Sequence, residues 1–264
     1  MKNTVTIKRL AFLSLAVAAL ALFGSSAALA QSSGGNFTAS VDNTVCSINS
    51  TGGGQVCSGP SCVMFTTNGG GSLTSTIKLP NSSPGLLVTP SLVTGLYTNT
   101  DTAVTNPNTQ TAAIVVVVTD QLGSGTPKVL TPNQTCVDTS AAGMTTCTPS
   151  STDPACKCGV AYDERFQQLM TAGLMSNQSV DLILSTLAAH SFNFTEGNVP
   201  GGIHTVKVNW YFGCDSTSGS LHTAQCMSTF VPSSAAACAG PGTLTVTQVQ
   251  QFQHSSQIGT TGTP

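Results

Sequence analysis

Charge is scarce in this chain: only 7% of its 264 residues are Asp, Glu, Lys or Arg. Eight basic residues face ten acidic ones, so there is no basic surface for nucleic acid or anionic lipid to read. Aromatic residues make up 5%, with one Trp and three Tyr, too few for a row of sugar-stacking platforms. Catalytic signatures are missing too. No GxSxG elbow, Walker loop, dinucleotide fingerprint, HExxH pair or EF-hand loop occurs. The glycine triplets at 52–54 and 69–71 lack the lysine and helix of a phosphate cradle and read as loop glycines. Beyond residue 23 no apolar run is long enough to span a bilayer as a helix.

What is present begins with a secretory pattern. Lys2, Lys8 and Arg9 precede an uncharged apolar run, Leu10 to Phe23, and Ala28-Leu29-Ala30 supplies small residues where a signal peptidase cuts. Residues 1–30 are therefore expected to be removed. No cysteine follows the cut, which argues against a lipid anchor. The mature chain is expected to be secreted or periplasmic, with no membrane insertion. Cleavage removes three basic residues and no acidic ones. Five basic against ten acidic residues remain, a net charge of −5.

Ten cysteines in an exported chain predict five disulfides. They fall into three clusters: Cys46, Cys57 and Cys62; Cys136, Cys147, Cys156 and Cys158; Cys214, Cys226 and Cys238. Clusters of three cannot pair fully within themselves. The simplest scheme joins the first to the third, with Cys46 to Cys238 as the chosen pair, and closes the middle cluster on itself. In that cluster Cys156 and Cys158 are too close to pair with each other without strain, so they are expected to take Cys136 and Cys147.

Short β-branched runs separated by Gly, Pro, Asn and Ser predict an all-β, disulfide-braced β-sandwich, jelly-roll-like, with one short helix. The segment 112–120, AAIVVVVTD, reads as a central strand buried on both faces. In 205–212, Val206, Val208, Trp210 and Phe212 alternate onto one face. Leu244 and Val246 do the same near the C-terminus, and 180–185 reads as strand. TPS at 89–91 reads as a turn. The helix is expected to start at Asp163, with Phe166, Leu169, Met170 and Leu174 at helical spacing, and to end around Gly173 to Asn177. The expected organisation is a signal peptide (1–30), a Ser/Gly-rich arm or edge strand (31–60), a sandwich (61–254) with exposed cysteine-rich loops at 132–160 and 213–240, and a flexible tail (255–264).

Candidate chemistry is sparse. His190 and His204 flank EGNVPGG, read as a hairpin turn; opposite Val208 and Phe194 they would stand roughly 13 Å apart, too far to share a metal. They are expected to be packed with satisfied ring nitrogens, and His222 and His254 to lie at the surface. Among the acids, Asp163 and Glu164 would point apart on a helix, Glu196 belongs to the turn, Asp120 ends a strand, and Asp181 alternates with Val180 and Leu182. Nothing in the sequence singles out two of them as the pair a glycosidase needs. Trp210 is expected in the core, while Tyr211 and Tyr97 are the candidate exposed aromatics. No catalytic, cofactor-binding or metal residue is assigned, and no cofactor is implied.

The function expected from this pattern is an exported, non-catalytic structural or adhesive protein of the bacterial cell surface or extracellular matrix. Its partner would be a second copy or another surface component, with the arm adding a strand to a neighbour's sheet. The alternatives are a secreted carbohydrate-active or other hydrolytic enzyme acting through Glu196 or Asp163, and a periplasmic metal-binding protein using Cys156, Cys158 and a histidine.

Overall fold

Apolar residues alternating with Thr, Ser and Gly put most described segments into strand. The computed structural model describes residues 36–48, 54–58, 61–64, 70–81, 84–101, 108–140, 146–169, 180–215, 220–226 and 234–249, all in the unit Asn36–Pro264. The expected signal peptide (1–30), the far half of the expected helix (170–177), His254 and the expected tail (255–264) lie outside the described residues. The strands, in chain order, are β1 (Phe37–Asp42), β2 (Val45–Ile48), β3 (Gly54–Ser58), β4 (Ser61–Met64), β5 (Gly70–Leu79), β6 (Gly85–Asp101), β7 (Asn108–Leu122) and β8 (Lys128–Val129). They continue with β9 (Thr135–Asp138), β10 (Cys156–Leu169), β11 (Asp181–Ser191), β12 (Phe194–Glu196), β13 (Gly202–Asp215), β14 (Leu221–His222) and β15 (Ser234–Val249).

Two sheets pack face to face. The first runs β1-β15-β6-β11, with β12 pairing β6 beyond the end of β11. In the second, β13 lies between β5 and β7, and β7 passes on to β10 and then β9. Short β14 pairs both β13 and β9, so β13, β7, β10, β9 and β14 close a ring of pairings at one end. A small sheet, β2-β3-β4, packs against β15 and β6. The core between the main sheets includes Leu92, Leu96 and Leu244 from one side and Ile114, Val208 and Trp210 from the other. Ile114, Val115 and Val116 are all fully buried, so β7 is covered on both faces as its unbroken β-branched run implies.

The disulfides brace this all-β sandwich. Cys46–Cys238 joins β2 to β15, Cys136–Cys158 joins β9 to β10, Cys147–Cys156 closes a short loop, and Cys214–Cys226 ties β13 to the end of the 3-10 turn Thr223–Gln225. The backbone register sets Cys57 of β3 directly opposite Cys62 of β4. Gly240 lets β15 pass close to Thr44, next to the first of these braces. Its φ is +125°, and a Cβ there would lie 2.3 Å from the Thr44 carbonyl oxygen.

Several expectations are corrected. The segment Asp163–Leu169 is strand, not helix: it is the second half of β10, laddered to β7 from Gln168↔Thr109 to Asp163↔Ile114. Its helical spacing of apolar residues is overridden by that ladder, and Phe166 is left 64% exposed. TPS is no turn, because Pro90 lies inside β6. On that side β11 pairs from Ser91 onward and β12 only up to Val88, so the proline falls in the gap where no partner needs its missing N–H. Gly70 and Gly71 open β5 rather than a loop. Gly71 faces Trp210, whose indole fills the place a Cβ would take. Segments 132–160 and 213–240 are not simple excursions either, since they contain β9 and β14 and the ends of β10, β13 and β15.

The Cys46–Cys238 bridge spans 192 residues of sequence, nearly the whole described fold. Restricting so long a loop in the unfolded chain is worth about 3–5 kcal/mol. The double variant Cys46→Ala/Cys238→Ala is expected to lose that much stability, read as a lower guanidinium midpoint.

Candidate functional site

All three described histidines face an aspartate, an arrangement the sequence did not announce. His204 of β13 meets Asp120 of β7 across the ladder, Nδ1 to Oδ2, at 2.7 Å, and its Nε2 is 2.9 Å from the Pro200 carbonyl oxygen. Both ring nitrogens are therefore engaged and the ring is buried, as expected for a packing histidine. The expected hairpin with His190 does not form: Glu196 ends β12 in the first sheet, and Gly202 starts β13 in the second. His190 instead pairs in register with Leu92 of β6. His222 is not at the surface. It is 1% exposed, with Nδ1 3.4 Å from Asp138 Oδ2 where β14 runs beside β9.

His190 belongs to a polar seam beneath the edge of the first sheet. Asp163, Arg165 and Gln167 alternate onto the inner face of β10. Thr94 donates a hydrogen bond to Asp163 Oδ2 at 2.8 Å. His190 Nε2 lies 3.6 Å from the same oxygen and has no hydrogen-bond partner. Gln167 exchanges hydrogen bonds with Thr98 and Thr100 and donates to the Leu182 carbonyl at 2.7 Å. Desolvation lowers the Arg165 pKa, and neighbouring Asp163 opposes that shift. A nucleophilic relay needs an imidazole nitrogen facing the hydroxyl it deprotonates. Here Nε2 and the Thr94 hydroxyl both turn to the carboxylate, so the seam has the geometry of a brace. Glu196 is 8% exposed and paired with Lys128 at 2.7 Å, on β12 and β8, not in a turn.

Above the seam lies β11, the outer strand of the first sheet. Its inner neighbour is β6, and among the described residues its outer edge has no strand partner. Even-numbered residues share a face with core residues of β6: Thr186 stands opposite Leu96 and His190 opposite Leu92. Odd-numbered residues turn outward, and Ile183 and Leu187 are 55% and 54% exposed. Leu182 and Leu184 on the other face are exposed too. A groove of about 360 Å³ lies beside this strand, lined by residues that include Val41, Val93, Ala189, Pro241 and Thr243.

The arm expected to reach a neighbour is occupied. β1 pairs with β15 of its own chain from Phe37↔Thr247 to Asp42↔Gly242. Tyr97, expected to be exposed, is 3% exposed and packs with Cys46, Cys238 and Ala236. Tyr211 is half-buried, and burial raises its pKa. Trp210 is in the core. Cys156 and Cys158 are both in disulfides, so neither offers a thiolate. Searches against protein-family models, curated proteins and solved structures return no match to this chain.

Tyr162 of β10 donates to the Pro90 carbonyl at 3.0 Å and packs on Phe192, ring centroids 4.7 Å apart. Burial raises its pKa well above the ordinary value of 10.0. A raised folded-state pKa contributes stability that is complete below the unfolded value and fades as pH rises past it. The native protein is therefore expected to lose stability above about pH 10. Tyr162→Phe should be weaker by about 1 kcal/mol at neutral pH yet lose less on going alkaline. Denaturant midpoints of both proteins between neutral and strongly alkaline pH check this.

Proposed function

We propose that the protein is an exported, non-catalytic structural or adhesive component of the bacterial cell surface or extracellular matrix, and that it works by strand-edge assembly. The observation that carries this reading is β11. It is an eleven-residue edge strand that exposes leucine and isoleucine on both faces. Soluble sandwiches usually guard such an edge with Lys, Pro, a bulge or a very short strand. In β11 the sole charged residue is Asp181, at its first position, and the ladder to β6 has no register shift. An edge without such a guard, and with no described strand beside it, suits a protein whose task is to pair.

Other features support the reading. Disulfides form in oxidising compartments, and four are present among the described residues. The N-terminal secretory pattern points the same way. Few surface charges mean little repulsion between copies brought edge to edge. The histidine–aspartate pairs and the Gln167 network hold strands together, and a scaffold needs that rigidity.

Ile183→Lys/Leu187→Lys tests the reading. Both side chains are exposed, so stability should change by no more than about 0.5 kcal/mol. Expressed with its own N-terminus, the wild type is expected in the cell-surface or matrix fraction and the variant in the medium. A wild type that stays in the medium, or a variant still retained at the surface, contradicts the proposal.

A further inference from the structure

We infer that the occupant of the β11 edge is β11 of a second copy of this chain, antiparallel, about a twofold axis through Thr186. This rests on the assembly reading above and gives it a partner and a register.

The strand is complementary to itself. In an antiparallel pair, directly opposite residues point to the same face. A twofold contact that keeps outer face with outer face must therefore pass through a residue, not between two. Centred on Thr186, the pairing sets Ile183 opposite Ala189, Leu184 opposite Ala188, Ser185 opposite Leu187 and Leu182 opposite His190. Ile183, Leu184 and Leu187 then each meet a small residue, on both faces of the joined sheet. Two Thr186 side chains meet at the axis, a favourable cross-strand pair. Moving the axis to Ser185 brings Ile183 against Leu187, and moving it to Leu187 sets that leucine against its own copy.

Charge selects the same arrangement. Parallel pairing in register would bring the two Asp181 residues side by side, a destabilising contact. The antiparallel pair separates them by the length of the strand, roughly 33 Å at 3.3 Å per residue. Each Asp181 position then stands opposite the partner copy's Ser191. The other outer strand of this sheet, β1, is a poorer template, because it has six residues and ends in Asp42.

Thr186→Cys in the otherwise intact exported chain tests the register. Paired Cα atoms at about 4.5–5.5 Å are within disulfide reach, so oxidation should give a covalent dimer on a non-reducing gel. Ser185→Cys, facing Leu187 of the copy, should give none. Sedimentation equilibrium of the unmodified chain guards against misfolding caused by an added thiol and should show a reversible dimer. Ile183→Lys/Leu187→Lys should weaken that dimer by at least tenfold. A wild-type dimer whose Thr186→Cys variant folds but does not cross-link overturns the register. A wild type that remains monomeric at every concentration overturns pairing between copies. If that monomer still sits in the surface fraction, the assembly reading survives with another partner; if it is also absent from that fraction, both fall.

Discussion

Backbone hydrogen bonding between neighbouring strands carries this molecule. With so few charges and aromatics, the chain has little else to order it beyond apolar burial and disulfides. Every N–H and C=O in a strand needs a partner, and an interior strand finds one on each side. β7 and β13 do so along much of their lengths, and their ladder runs from His204↔Leu122 to Asp215↔Thr111. The same requirement explains why Pro90 sits between the ends of β11 and β12, and why β14 is needed to close the ring at one end. It also isolates β11, which meets β6 on one side and no described strand on the other.

The disulfides and the histidine–aspartate pairs serve that framework. Cys46–Cys238 ties the small sheet to β15, and Tyr97 is sealed beneath it. Cys136–Cys158 connects residues already opposite each other in the β9–β10 ladder. His204 with Asp120 and His222 with Asp138 each cross from one strand to its neighbour. The result is a scaffold whose interior polar groups brace strands, leaving the edge as its distinctive surface.

The sequence disclosed much of the sandwich and little of its edges. β7 and β13 were readable because burial on both faces, or clean alternation, is written into a few adjacent residues. Counting thiols in clusters called for a bridge from the first cluster to the third, and Cys46–Cys238, the pair chosen for it, is that bridge. The second half of β10 hides its strand character because its inner face is polar, with Asp163, Arg165 and Gln167 directed at the seam, while Phe166 is outside. Local spacing then mimics a helix, and only the ladder with β7 decides otherwise. The burial of His222 and Tyr97 depends on strands far away in sequence. So does the edge position of β11: LIL followed by LAA reads as strand, and nothing nearby says that β6 is the one described strand laddered to it.

Hydrogen exchange as a function of protein concentration tests the edge account most directly. Amides of β11 should be slow to exchange in concentrated protein and lose part of that protection on dilution, while β7 and β13 stay protected throughout. Protection of β11 that does not change with concentration, or changes at β1 instead, would contradict it.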